Sequence, residues 1–180
     1  MKPDVPDPLA RSIDLLARTP AVLRALLYSL DEPWLRADEG PDTYSAYDVV
    51  GHLVHGEDTD WIPRVEHLLR HGETQPFVPF EREGMRARFA KATLGELLAL
   101  FERRRAESLA HLRELALTPA DLERRGRHPE LGSVTLLELV STWVVHDLAH
   151  LAQVARVLAK HRAPEIGPWA AYFRVLADRT

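Results

Sequence analysis

His146 and His150 stand four residues apart in residues 135–161, TLLELVSTWVVHDLAHLAQVARVLAKH. On a helix that spacing puts both imidazoles on one face, a turn apart, where two rings can converge on a single cation. Leu139, Trp143, Val154 and Val157 share the face, with Leu136, Val140, Leu151 and Leu158 widening it, so the rings are expected in an apolar seam. Two readings stand for such a pair, ligation of a metal or hydrogen bonding to neighbours, because an imidazole withdrawn from water needs a partner. Asp147, not glutamate, follows His146, so the general base of the HExxH zinc-protease motif is missing. The chain has no Cys, which excludes disulfides, thiolate metal sites and a cysteine nucleophile. His, Asp and Glu are the strong ligands that remain.

Residues 45–71 carry His52, His55, His67 and His71. His67 and His71 repeat the four-residue spacing, but they fall in a last helical turn, where the helix dipole favours histidine, and are read as surface residues. His52 sits at the margin of its apolar face, and periodicity alone does not make it a ligand. Asp147 and Gln153 each lie about 60° around the helix from His150, so either could orient a metal-bound ring. The competing reading makes Asp147 part of an exposed salt bridge and Gln153 a surface hydrogen-bonding group. Glu57, five residues beyond His52, could act as a base or fourth ligand only on a distorted helix. Otherwise it is a boundary carboxylate paired with an arginine.

The elements that must hold these groups follow from caps and periodicity. Residues 9–18 are helical in pattern and restart at Thr19-Pro20; residues 21–30 continue with Val22, Leu23, Leu26, Leu27 and Leu30 as the apolar face. Asp31-Glu32-Pro33 ends that helix, and a connection runs to Thr43. Ser45 with Asp48 opens a second long helix to His71, kinked at Pro63 and stopped at Gly72. Residues 72–92 form a long connection with a short helix around 81–90, enough chain to run back along a bundle and make the second and third helices parallel. Thr93 with Glu96 opens a third helix to about Leu117, and Thr118-Pro119 a short helix to Arg125. A loop over 126–133 then leads to Thr135, which with Glu138 caps the histidine-bearing helix. Residues 166–176 read as a short closing helix whose Trp169, Tyr172 and Phe173 seal the bundle or form a dimer contact, sealing being the expected role. No alternating strand pattern, dinucleotide-binding glycine motif, P-loop or fixed-period repeat is present. Four long amphipathic segments define an all-α four-helix bundle, with 1–180 as a single domain.

A formal charge of −4 argues against nonspecific nucleic-acid binding. The basic clusters at 103–105 and 124–127 are read as solvated faces. No run reaches the ~18 apolar residues of a membrane span and the N-terminus lacks a signal-peptide core, so a soluble, cytoplasmic protein is expected.

TPAVLRALL, TYSAYDVVGHLVHGE and WVVHDLAHLAQ together resemble the DinB-like (DinB/YfiT-like) superfamily of metal-binding four-helix bundles, and the resemblance covers most of the chain. Tyr44 stands where that family commonly has Trp. The resemblance implies an up-down-down-up bundle. It also implies one divalent metal (zinc, nickel or iron) held by His52, His146 and His150, and a homodimer. Some relatives are metal-dependent transferases that use low-molecular-weight thiols. It therefore implies a metal-dependent thiol S-transferase or hydrolase acting on a small molecule; the candidate helper residues, taken from their helix positions and not from the resemblance, are Asp147, Gln153 and Glu57. Two other classes remain beside it: a non-catalytic metal-binding stress-response protein, and a helical interaction module with core histidines.

Overall fold

The computed structural model describes residues 7–177. Its helices are α1 (Pro8–Leu16), α2 (Thr19–Leu27), α3 (Glu32–Arg36), α4 (Ala46–Thr59), α5 (Trp61–His71), α6 (Gly84–Phe89), α7 (Leu94–Glu114), α8 (Pro119–Leu122) and α9 (Leu136–Arg162). The strands β1 (Arg125–His128) and β2 (Gly132–Thr135) lie between α8 and α9.

The four columns of the bundle are α1–α2, α4–α5, α7 and α9. Side-chain pairings give their directions. The Tyr47 hydroxyl, at the start of α4, lies 2.7 and 2.6 Å from the Phe89 and Ala92 carbonyl oxygens just ahead of α7. Asp58 at the end of α4 meets Arg104 at 2.8 Å, and Glu66 in α5 meets His111 at 2.9 Å. The second and third columns are therefore parallel. α9 runs against them, with His52 facing His150 and Trp61 stacked on Trp143. α1–α2 run against α7, since Leu16 meets Arg105 and Arg24 meets Glu102. The result is the up-down-down-up bundle, its second and third columns joined by residues 72–93.

Local chemistry sets the boundaries. Ser45–Asp48, Thr93–Glu96, Thr118–Asp121 and Thr135–Glu138 form reciprocal capping boxes that satisfy first-turn donors. The second column breaks instead of kinking, at Asp60 (φ −119°, ψ −67°). Pro63 has no N–H for the Thr59 carbonyl and its ring crowds that group. α2 ends at Leu27, not Leu30, because Tyr28 is extended and Ser29 takes a positive φ (65°), and the Asp31-Glu32-Pro33 read as its end instead starts α3, with Pro in its first turn. Of the apolar residues read as one face of α2, Leu23 and Leu27 are buried, whereas Val22 and Leu26 are exposed.

Two further elements differ from the sequence reading. Residues 126–133 are not a loop; most of them belong to an antiparallel hairpin in which Arg125 pairs with Thr135 and His128 with Gly132. Its four-residue strands carry Gly, Arg, Ser and His, too short and polar for an alternating pattern to register. The segment 166–176 is not a helix but 3₁₀ turns (Gly167–Tyr172, Arg174–Leu176), because Pro164, Gly167 and Pro168 interrupt i to i+4 bonding. Its Trp169 (66% exposed), Tyr172 (77%) and Phe173 (52%) do not seal the core.

The hairpin packs on α5 through Gly126, where an added Cβ would fall 2.9 Å from Leu68 Cγ and Phe77 Cζ. Gly126→Ala is therefore expected to destabilise by about 1–3 kcal/mol through overpacking, read as a lower urea midpoint. An unchanged midpoint would mean that the hairpin lifts away without loss.

The core falls into two apolar clusters. One gathers Leu9, Ile13, Leu16, Trp61, Val65 and Trp143 among others; the second gathers Leu23, Leu53, Phe101 and Val154 among others. Arg105 of α7, 2% exposed, lies with its guanidinium near Phe101 of one cluster and Trp143 of the other. The reading of residues 103–105 as a solvated face fails at this residue. Among the described residues, no helix is long and apolar enough to cross a membrane.

Candidate metal centre

α4 supplies His52, which is buried, and α9 supplies His146 and His150, which are half-buried at the wall of a cavity of about 880 Å³. The antiparallel packing of α4 on α9 brings the three rings together. His146 Nε2 lies 3.1 Å from His52 Nε2 and 3.1 Å from His150 Nε2. One nitrogen from each ring falls within 4.8 Å of the others. Tyr44, Asp60, Trp61, Phe80 and Gln153 share the cavity wall with them.

Orientation comes from the surroundings. His150 Nδ1 is 2.9 Å from Gln153 Oε1, and since that oxygen only accepts, Nδ1 is the donor in this bond while Nε2 faces the cluster. The His52 ring is wedged between Tyr44 (5.3 Å between centroids) and the edge of Phe80 (5.5 Å). Trp61 meets His146 edge-on at 5.1 Å. Burial, and then the charges of His150 and His146, push the His52 ring down to about 3, so it is a neutral imidazole at physiological pH. Burial, followed by the bond to Glu83, pushes the Tyr44 phenol up to about 12.

Three imidazoles fit a divalent ion. A tetrahedral ion ~2.0–2.1 Å from each nitrogen would space its ligands about 3.3 Å apart, close to the two short separations here. His52 Nδ1 and His146 Nδ1 are buried without a hydrogen bond, so neither Nε2 orientation is accounted for by an ordinary network on the far side of the ring.

The other residues singled out from sequence divide. Gln153 reaches the cluster. Glu57 and Asp147 do not line the cavity: both are buried and share Arg105, with Glu57 Oε1 2.6 Å from Nη2 and Asp147 Oδ2 2.6 Å from Nη1. Asp147 is thus in no exposed salt bridge, and Glu57 is an arginine-paired carboxylate of the interior, not a boundary one. Burial works against the Asp147 carboxylate, yet His146, Arg105 and Thr19 bring it below its ordinary value. Glu57 goes the other way, raised by burial in spite of Arg105. His55 bonds the Glu81 carbonyl through Nε2 (3.0 Å) and secures the segment carrying Phe80. His67 and His71 touch each other outside the cluster, and His67 Nε2 is 3.0 Å from the Gln75 carbonyl oxygen.

Two participants escaped the sequence reading. Arg105 recurs with Phe101, Ser108, Leu109 and Leu112 on the buried stripe of α7, a position where periodicity could have flagged it. Asp60 lines the cavity as a buried carboxylate, with Oδ1 2.7 Å from Arg64 Nε. Burial raises its pKa against the pull of Arg64. Nothing local marks Asp60, because the helix break that turns it inward comes from Pro63.

An up-down-down-up bundle with three imidazoles converging between its second and fourth columns defines a class of helical histidine-cluster proteins. The chain belongs to the DinB superfamily, whose sequence model matches residues 15–154. Among solved structures it is similar to YfiT from Bacillus subtilis, described as a probable metal-dependent hydrolase with an unusual four-helix bundle topology. That likeness has 23% identity and a TM-score of 0.72, with 87% of each chain covered. It is also similar to TT2238, described as a four-helix bundle protein, at 24% identity and a TM-score of 0.52, covering 82% of this chain and 98% of that one. At these identities the likeness establishes the fold. No curated protein matches the chain.

Proposed function

We propose that His52, His146 and His150 hold one divalent metal ion, zinc, nickel or iron, and that the chain is a metal-dependent enzyme acting on a small molecule in the adjoining cavity. The observation that carries this reading is the convergence of three imidazoles, one nitrogen of each within 4.8 Å of the others, on a cavity wall. A divalent ion with three protein ligands keeps a position for a further ligand and lowers the pKa of a water or thiol bound there. With no Cys in the chain, a thiol arrives as cosubstrate, and transfer of a low-molecular-weight thiol to a small electrophile is the reaction we favour. Hydrolysis at the same centre is the second reading, favoured by the description of YfiT.

The chain's own groups have distinct tasks in either reaction. Gln153 fixes the tautomer of His150. Tyr44 and Phe80 hold the His52 ring, and Trp61 the His146 ring, in place by direct contact. Asp60 is the buried carboxylate on the wall suited to taking up a proton from the nucleophile. The proposal includes a cytoplasmic protein that binds neither nucleic acid nor membrane and forms a homodimer.

Elemental analysis of untagged protein tests the metal. Wild type is expected to hold about one ion per chain, and His52→Ala, His146→Ala and His150→Ala, each with helicity intact, are expected to lose it. Retention in His52→Ala alone would move the third ligand to another residue. Folded wild type that stays empty after incubation with zinc and nickel would leave an interaction module. Bound metal without turnover of thiol and electrophile panels or ester substrates would leave a metal-binding stress protein.

A further inference from the structure

The geometry points to the buried Arg105–Glu57–Asp147 layer as a positioning unit for the three-histidine cluster, one that fixes α4 against α9 at the spacing the imidazoles need. The inference rests on the metal-binding reading of that cluster.

All five N–H bonds of the Arg105 guanidinium are used. Nε donates to Glu57 Oε1 (2.9 Å) and Nη2 to the same oxygen (2.6 Å). Nη1 donates to Asp147 Oδ2 (2.6 Å) and to the Leu16 carbonyl oxygen (2.8 Å), and Nη2 also donates to Asp147 Oδ1 (3.2 Å). One side chain of α7 therefore binds α1, α4 and α9, which ties all four columns of the bundle together. Lysine, with three donors on a single nitrogen, cannot reproduce that fork.

Stability alone does not explain the layer. It lies between two apolar clusters, and replacing a buried ion triad by apolar side chains of similar volume is often neutral or stabilising. What an apolar layer would not supply is fixed bond lengths between particular residues. Those residues are placed next to the candidate ligands. Asp147 directly follows His146 and precedes His150 by three positions on α9, and Glu57 lies on α4 five residues beyond His52. Asp147 also faces the cluster itself. His146 Nδ1 is buried without a hydrogen bond and lies 3.9 Å from Asp147 Oδ1. Carboxylates behind metal-bound imidazoles orient the ring and raise its basicity. Arg105 thus acts on His146 through Asp147, and on the distance from His146 to His52 through Glu57.

Cobalt(II) titration of metal-free protein tests this, followed by visible absorption and accompanied by circular dichroism. Wild type is compared with Arg105→Lys and with the triple variant Glu57→Leu/Arg105→Met/Asp147→Leu. The triple variant is expected to melt at or near the wild-type temperature but to bind cobalt about 10–100-fold more weakly with shifted absorption bands. Arg105→Lys, folded, is expected to lose affinity in the same direction. Wild-type affinity and spectrum in a folded triple variant would overturn the inference, since the layer would then be structural only. If the triple variant does not fold, Arg105→Lys decides: affinity within twofold of wild type overturns the inference, and a tenfold loss with helicity intact supports it. Wild type that takes up no cobalt overturns the reading of the histidine cluster itself, and this inference falls with it.

Discussion

Arg105→Ala is expected to cost the metal-free protein about 3–5 kcal/mol, lowering its melting midpoint by roughly 10 °C, as followed by circular dichroism at neutral pH. The loss has three parts. The carboxyl groups of Glu57 and Asp147, both with side chains no more than 2% exposed, would face each other with no cation between them. The Leu16 carbonyl would lose the donor it finds at 2.8 Å. A void would open where the guanidinium packs near the Phe101 and Trp143 rings, at 4.9 and 5.0 Å from their centroids. Removing one member of such a layer costs far more than removing all of it, because unpaired buried charge is what destabilises. A midpoint within about 2 °C of wild type would mean that water enters and solvates the two acids, and the layer would not be the closed unit that its five donor bonds describe.

The fold was legible in the sequence because bundles advertise themselves locally. Ser45–Asp48, Thr93–Glu96 and Thr135–Glu138 mark where the long helices begin, and apolar periodicity marks which face they bury. The pairing of His146 with His150 was equally local, one turn on one helix. His52 was not, since its membership depends on how α4 packs against α9, and it entered through family resemblance instead of the helical wheel. Arg105 and Asp147 were misjudged for a related reason. Both occupy the buried stripes of their helices, but charge was taken to outweigh position, which holds only where no opposite charge can be buried in the same layer. The hairpin and the 3₁₀ tail were missed because short, Gly- and Pro-rich segments take their conformation from what they pack on. Gly126 is confined by Leu68 and Phe77, residues about 60 and 50 positions earlier in the chain.

Acid should destabilise the metal-free protein through two overlapping titrations, with His52 acting first, above the range of Glu39. An unfolded imidazole takes up a proton near 6.5, whereas the folded His52 ring, buried and beside His150 and His146, resists protonation until about 3. Between those values the unfolded chain binds more protons, so the full stability present above about pH 6.5 declines as the pH falls. At about 1.4 kcal/mol per unit, roughly 3 kcal/mol would be lost from this ring by pH 4.5. Glu39 acts lower. Its bond to Arg156, with Lys160 assisting against burial, holds its carboxyl at about 2, so its contribution is complete above about 4.5 and disappears between there and 2. Denaturation midpoints measured from pH 7 to 4.5 should therefore fall in wild type and flatten in His52→Leu, whose side chain cannot be protonated. Saturating zinc should hold wild-type stability to lower pH than in the metal-free protein, because it competes with protons for the same nitrogens. A wild-type profile that is level from 6.5 to 4.5 without metal would show that the folded ring accepts a proton as readily as the unfolded one, and His52 would lose its physical basis as a neutral donor.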